Sequence, residues 1–281
     1  ILLENFKTGT LDRMGLGYED LKKVNPQLIY CSLTGFGLTG PKAKDAAYDF
    51  MIQGMGGLMS FTGGSDDEPG GGPQKVGVPI VDIMTGMYAS IGVLAALSNR
   101  AETGVGDHID IAMLDVSVAM LANQAMNYLA TGTAPERTGN YHPNLTPYQV
   151  FDCRDGHIII ATGNDPQYQR LCDILDLESM ADDPQFLTNA DRIANREPMV
   201  SALSEQTKTM TKDQLLKACE DKGVPASPIN AMDEVFADPQ VIHGQMQVEL
   251  DGIPSVRSPF AFSDAELSLQ KPSPKLGENN L

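Results

Sequence analysis

The chain has 281 residues, with 20 Lys and Arg against 37 Asp and Glu, a net charge of −17 and an isoelectric point near 4.5. That length suits about one to three domains built round sizeable cores. The acidic balance argues against nucleic acid or anionic membrane as a general partner, because both demand a basic face.

The opening Ile1-Leu2-Leu3-Glu4-Asn5 lacks an initiator Met and reads as the start of a fragment in which a βα pattern is already under way. Residues 1–44 carry Lys7, Arg13, Lys22, Lys23, Lys42 and Lys44 against Glu4, Asp12, Glu19 and Asp20, a local balance of +2. A small polyanion would be steered to such a segment, although a mixed solvated surface has the same composition. A short polar helix over 19–24 and a strand over 28–33 come first, then a helix over 46–59 interrupted by Gly54, Gly56 and Gly57. The loop 62–73 is rich in glycine but acidic, and it lacks the Gly-Lys-Ser/Thr ending of a phosphate loop.

Residues 76–81 read as a short β-branched strand running straight into Asp82. A helix over 83–100 follows, studded with Gly86, Ala89, Ser90, Gly92, Ala95 and Ala96, which predicts close approach of another backbone. A strand over 107–113 and a buried apolar helix over 116–129 complete this half. The longest aliphatic run, residues 91–97, falls far below the roughly 18 apolar residues of a membrane span, so the sequence predicts a soluble protein without a membrane partner.

Gly, Thr, Pro and Asn dominate 131–145, which reads as a linker. Beyond it, a hairpin joins 148–151 to 157–161 around Arg154-Asp155-Gly156. A helix starts at Asn164 or Asp165 with Pro166, and further helices cover 188–208 and 211–222, the last capped by Thr211 and stopped by Gly223. A strand over 226–229, a short helix over 232–236 and a hairpin over 246–262 turning at Asp251-Gly252 make this an α+β module.

Asp82 is the sharpest candidate for chemistry. A carboxylate between strand and helix sits where α/β folds place their sites, facing free N–H groups of the helix N-terminus. Asp is equally a preferred capping residue, and that reading stays open. A partly desolvated carboxylate at a cleft edge is a competent nucleophile toward an acyl group. Histidines 108, 142, 157 and 243 show no metal spacing, and Cys31, Cys153, Cys172 and Cys219 form no Cys-x-x-Cys pair. Neither a metal site nor a disulfide framework is expected, and a reducing, cytoplasmic setting is. His142, in the loop 139–144, is the one histidine placed where a cleft could be lined.

Several strings resemble one family. Residues 4–18 (Glu-Asn-Phe-Lys-Thr-Gly-Thr-Leu-Asp-Arg-Met-Gly-Leu-Gly-Tyr), 28–37 (Leu-Ile-Tyr-Cys-Ser-Leu-Thr-Gly-Phe-Gly), Ala47-Tyr48-Asp49, the 82–86 junction and Thr103-Gly104-Val105-Gly106 are similar to the class III CoA-transferases, the CaiB/BaiF group. Residues 140–151 and 224–230 place it nearest the succinyl-CoA-dependent dicarboxylate branch, that of the succinate–hydroxymethylglutarate CoA-transferases. The resemblance implies an α/β fold with a Rossmann-like large domain, its N-terminal part missing here, and a smaller α+β domain, assembled as an interlocked homodimer. Residues 1–130 would belong to the CoA-binding domain, 146–255 to the small domain, and 256–281 would return toward the large one.

By the same resemblance Asp82 is the nucleophile, Tyr48 lies near the thioester, and Phe6, Arg13 and Met14 join it in the CoA site. CoA and acyl-CoA enter as substrates, with no tightly bound cofactor. The reaction would run through an aspartyl mixed anhydride and an aspartyl-CoA thioester, moving CoA from succinyl-CoA to a free carboxylic or dicarboxylic acid. Arg137 and His142 are candidates for reading the second carboxylate. A related subfamily racemises 2-methylacyl-CoA with a His where Tyr48 stands, and neutral Tyr is a poor base. Racemase is the enzymatic alternative, and a non-catalytic acyl-CoA-binding fragment is the alternative of another class.

Overall fold

The computed structural model describes residues 1–268 and 271–278, so part of the expected return segment 256–281 lies outside the described residues. The chain divides into two compact units, Ile1–Pro143 and the remainder from Asn144, and the described residues following 256 group with the second.

In the first unit β1 (Leu2–Glu4), β2 (Tyr30–Thr34) and β3 (His108–Ala112) form a parallel sheet in that order, with Leu2 opposite Tyr30 and Tyr30 opposite His108. The central strand is buried at every position except Leu33, as befits a parallel strand covered on both faces. Parallel neighbours need crossovers. A 3-10 turn (Asp12–Met14) and α1 (Tyr18–Val24) connect β1 to β2. The longer crossover to β3 uses α2 (Asp49–Met55), α3 (Leu58–Phe61) and α4 (Ile80–Thr103), and after β3 come α5 (Met113–Ala119) and α6 (Ala122–Thr131).

Three sequence expectations need correction here. Residues 76–79 are not a strand, and α4 begins at Ile80, ahead of Asp82 rather than after it. Gly77 weakens extended pairing and Pro79 brings no N–H to a ladder, while the Val76 N–H is taken by the Gln53 side chain at 2.9 Å. The helix expected over 116–129 is two helices, broken where Ala122 adopts a φ of +48°. Nor is it buried throughout: Val116 and Ser117 of α5 are, whereas Met126 and Leu129 of α6 are exposed. The helix expected over 46–59 does break at its glycines, since Gly57 takes a φ of +88° between α2 and α3.

Helix α4 has two apolar faces. Val81, Thr85, Ala89 and Ala96 are buried, and Gly92 receives the Ile109 side chain of β3, so its close neighbour is a side chain rather than a backbone. Ile83, Met87, Ile91 and Leu94 lie on the nearly opposite face at 3.6 residues per turn and are exposed. By length and composition alone this helix could cross a membrane, its richest 18-residue window having a mean hydropathy of 1.8 with 22% of it buried. Counting consecutive aliphatic residues missed this because Gly, Ser and Ala interleave with the larger side chains.

In the second unit β4 (Tyr148–Cys153) and β5 (Gly156–Ala161) form the expected hairpin, closed by the pair Cys153 and Gly156, and β6 (Ala226–Pro228) adds antiparallel to β5. Helices α7 (Asp165–Ile174), α8 (Glu178–Ala181), α9 (Asn189–Ala194), α10 (Arg196–Thr207) and α11 (Lys212–Lys222) follow β5 in sequence. Phe151, Ile158, Ile160, Leu171, Met199, Leu203 and Leu215 form the centre of the core. Arg192 is 1% exposed and donates to the carbonyls of Thr146, Phe186 and Leu187 and to Asp165, its guanidinium lying 4.5 Å from the Tyr168 ring centre. Two short helices, α12 (Met232–Ala237) and α13 (Pro239–His243), and the hairpin β7 (Gln247–Leu250) and β8 (Ile253–Val256) complete the unit. That hairpin turns at Asp251 and Gly252, both with positive φ, and stops at Val256 rather than Phe262.

Candidate active site

The carboxyl ends of the three parallel strands meet one cavity of about 600 Å³ in the first unit. Asn5, Phe6, Lys7 and Thr8 follow β1 into its wall, Leu33, Thr34 and Gly35 close β2 on it, and Met113 follows β3. Ala43, the segment Asp45–Asp49 and the first turns of α4, with Asp82, Thr85 and Gly86, complete the lining. This is the crevice beyond the strand ends that open α/β sheets use for ligands. Segment and strand meet closely at Gly35, where a Cβ would fall 2.2 Å from the Ala47 Cβ.

Asp82 lies in the first turn of α4 and opens on the cavity. The N–H groups expected to face the site are engaged elsewhere: Oδ1 of Asp49 accepts from Val81 N at 2.8 Å and from Asp82 N at 3.2 Å. The sequence reading of free helix N–H groups is therefore corrected, because a carboxylate from α2 occupies them. Partial desolvation, and secondly the charge of Asp49, raise the Asp82 carboxyl above its ordinary range. Three carboxylates, Asp45, Asp49 and Asp82, line the cavity, and Lys7 is the one basic side chain among the described residues lining it.

Of the residues named from sequence, Phe6, Tyr48 and Asp82 come together on this cavity. Arg13 and Met14 stand outside its lining. Arg13 donates to Thr10 Oγ1 at 3.2 Å, and Met14 is exposed. Arg137 and His142 also stand outside the lining. Arg137 donates to the Ser60 carbonyl and pairs with Asp66, and Gly139 N bonds to the Gly63 carbonyl, so 137–139 fastens the acidic glycine-rich loop. Asp49 and Gln53 carry site geometry that sequence reasoning did not single out, and Lys7, one of six basic residues named in 1–44, is the one that reaches the cavity. The signal for Asp49 was its place beside Tyr48, but its bond to α4 spans 33 positions and leaves no local pattern.

A parallel α/β unit with a carboxylate presented at its strand ends defines the class of a ligand-binding α/β protein. The sequence profile of CoA-transferase family III matches residues 1–280. The chain is 48% identical to a succinate–glutarate CoA-transferase of Agrobacterium fabrum, covering 99% of this chain and 70% of that protein. It is 38% identical to the human succinyl-CoA:glutarate CoA-transferase, over 99% of this chain and 64% of that one. The crystal structure of a CAIB/BAIF family protein from Brucella suis superposes with a TM-score of 0.85 at 52% identity, covering 98% of this chain and 72% of that one. The chain belongs to CoA-transferase family III and has its mixed α/β fold. It spans about two thirds of the length of these relatives.

Proposed function

We propose that the protein transfers CoA from succinyl-CoA to a free dicarboxylic acid, with Asp82 as the covalent nucleophile. The observation that carries this reading is the Asp82 carboxylate standing at the strand-end cavity with its basicity raised. The names of the two enzyme relatives support succinyl-CoA as donor and glutarate as the class of acceptor.

In this reading Asp82 attacks the thioester carbonyl, the C–S bond breaks, and CoA leaves as thiolate, giving an aspartyl mixed anhydride. The thiolate attacks the aspartyl carbonyl, releases the donor's free acid and forms an aspartyl-CoA thioester. The acceptor carboxylate attacks that thioester, its C–S bond breaks to release CoA thiolate and leave a second mixed anhydride, and the thiolate then attacks the acceptor's acyl carbonyl and frees the Asp82 carboxylate. A carboxylate suits the task because each intermediate stays activated without ATP. Lys7 is placed to offset the charge of an anionic substrate against Asp45, Asp49 and Asp82. Phe6 and Tyr48 border the CoA path, with Arg13 and Met14 further along it.

The assembly belongs to the same proposal: an interlocked homodimer whose second copy covers the exposed apolar face of α4. So does a reducing, cytoplasmic setting, in which Cys31, Cys153, Cys172 and Cys219 are all free and buried.

Trapping tests the nucleophile directly. The protein is incubated with succinyl-CoA, quenched with hydroxylamine and mapped by mass spectrometry, with Asp82→Asn as control. A hydroxamate on Asp82 and none in the variant is expected, together with loss of transfer by at least about a thousandfold, as for removal of a covalent nucleophile. An unmodified Asp82 with CoA bound would overturn the reading in favour of simple binding, and α-proton exchange without an acceptor would favour racemisation.

A further inference from the structure

On the reading that Asp82 is the nucleophile, we propose that Asp49 is its positioning residue: a bonded chain from Val76 through Gln53 and Asp49 pins the first turn of α4 and so holds the Asp82 carboxylate at the cavity.

The chain follows from what the start of α4 lacks. A helix leaves its first N–H groups without intrahelical partners, and Pro79 at the cap position has no side-chain acceptor to offer them. Ile80 N finds the Val78 carbonyl at 2.8 Å and Ile83 N the Pro79 carbonyl at 3.0 Å. The two between, Val81 N and Asp82 N, share Oδ1 of Asp49. The cap is thus supplied from another helix, and one of the groups it holds is the backbone of the nucleophile itself.

Asp49 is fixed in turn. Its Oδ2 accepts from Gln53 Nε2 at 2.6 Å, one turn along α2. Gln53 is fully buried, and its Oε1 accepts from Val76 N at 2.9 Å. A buried amide bonded at both ends has one orientation, since reversing it would set oxygen against carboxylate and NH₂ against N–H. The chain therefore joins the segment leading into α4, the α2 helix and the nucleophile's own turn.

Two chemical consequences follow. The helix N-terminal N–H groups, which would otherwise favour a carboxylate anion at Asp82 and blunt it, are spent on Asp49. A second negative charge beside Asp82 also favours its protonated form, so the anion is a stronger base and nucleophile once formed. The other titratable groups on the cavity are Asp45 and Tyr48 from the segment before α2, acting in the same sense if ionised, and Lys7 from the loop after β1, acting against it. Thr85 and Gly86 of α4 and Met113 after β3 bring no charge.

A plain cap would keep its effect when the charge is removed and an acceptor oxygen kept, which is what Asp49→Asn does. With the aspartates labelled at the side-chain carboxyl carbon, the resonance lost in Asp82→Asn identifies Asp82, and its titration is followed by NMR in the full chain. The Asp82 midpoint is expected above the ordinary carboxylate range and to move down toward it in Asp49→Asn. A midpoint that stays put in the variant overturns the proposal, and this arm needs no turnover, so it is decided separately from the transferase reading.

The kinetic arm uses Gln53→Met, which fills the same space but releases Oδ2 of Asp49. With its nucleophile less well held, kcat is expected to fall about tenfold or more while KM for succinyl-CoA barely changes. Wild-type kcat in a folded Gln53→Met protein would also overturn the proposal. Should Asp49→Asn fail to fold, Gln53→Met carries the titration as well, with a smaller downward move expected and no change overturning it.

Discussion

Asp82 bears a cost that its position explains. Its carboxyl is raised first by partial desolvation and then by the charge of Asp49, so the native state holds that proton more tightly than the unfolded chain does. The stability this proton contributes is complete below the ordinary carboxylate pKa of the unfolded chain. It is lost as pH rises through the raised native value. Asp82→Asn removes the titration and should melt at a higher temperature than wild type at neutral pH, the gap closing as pH is lowered below the ordinary range. Paired thermal melts from acid to neutral pH check this, and a wild type that melts higher at neutral pH would show that Asp82 is a stabilising cap after all. Because Asp82 is exposed, solvent screens the effect and the difference will be modest. Arg192 shows the contrary arrangement. There a buried charge meets three carbonyls, a carboxylate and an aromatic face, and nothing is left open for a ligand.

Helix α2 carries both Asp49 and Gln53, so what holds it in place holds the site. It lies against α5 at Gly56, where an added Cβ would fall 2.1 Å from Ser117 Oγ and 2.7 Å from Ser117 Cβ. Gly56→Ala should therefore destabilise by about 1–3 kcal/mol through overpacking. Ser117→Gly alone costs about 0.5 kcal/mol as a helical glycine, yet in the Gly56→Ala background it removes the collision. A double-mutant cycle in urea is expected to give a favourable coupling, and simple additivity would mean that α2 and α5 do not meet there. The glycines at 54–57 were readable in sequence as a break, because glycine frees the backbone wherever it stands. What they abut was not readable, since Gly56 and Ser117 are distant in sequence. The same division runs through the rest of the fold. The capping box of α11, with Thr211 and Gln214, and the Asp251-Gly252 hairpin are local chemistry and were legible as such. Asp82 was legible as a carboxylate at an apolar boundary. The start of α4 was misplaced because an apolar β-branched run suits a strand and the approach to a helix alike. Asp49 and Gln53 were unreadable because their meaning lies in bonds to Val76 and Val81, made only after α2 and α4 come together.

The exposed face of α4 raises the last question, what covers it. Val81, Thr85, Ala89 and Ala96 already turn one face inward, and a helix apolar on both faces is ordinarily a buried helix. Ile91 and Leu94 are 61% and 65% exposed in the single chain, and Met87 extends the same stripe. A net charge of −17 makes like-charged copies repel at long range, so association has to be driven by apolar burial and should strengthen as salt screens the charge. Light scattering should accordingly return twice the chain mass of 30.2 kDa, more completely at 0.5 M than at 0.02 M salt. Paired Ile91→Asp and Leu94→Asp substitutions, placed away from the cavity lining, should shift that population to monomer with the far-ultraviolet circular dichroism unchanged. A wild-type chain that stays monomeric at every salt concentration but floats with neutral lipid vesicles would instead assign the stripe to a membrane, the other environment that its length and composition admit.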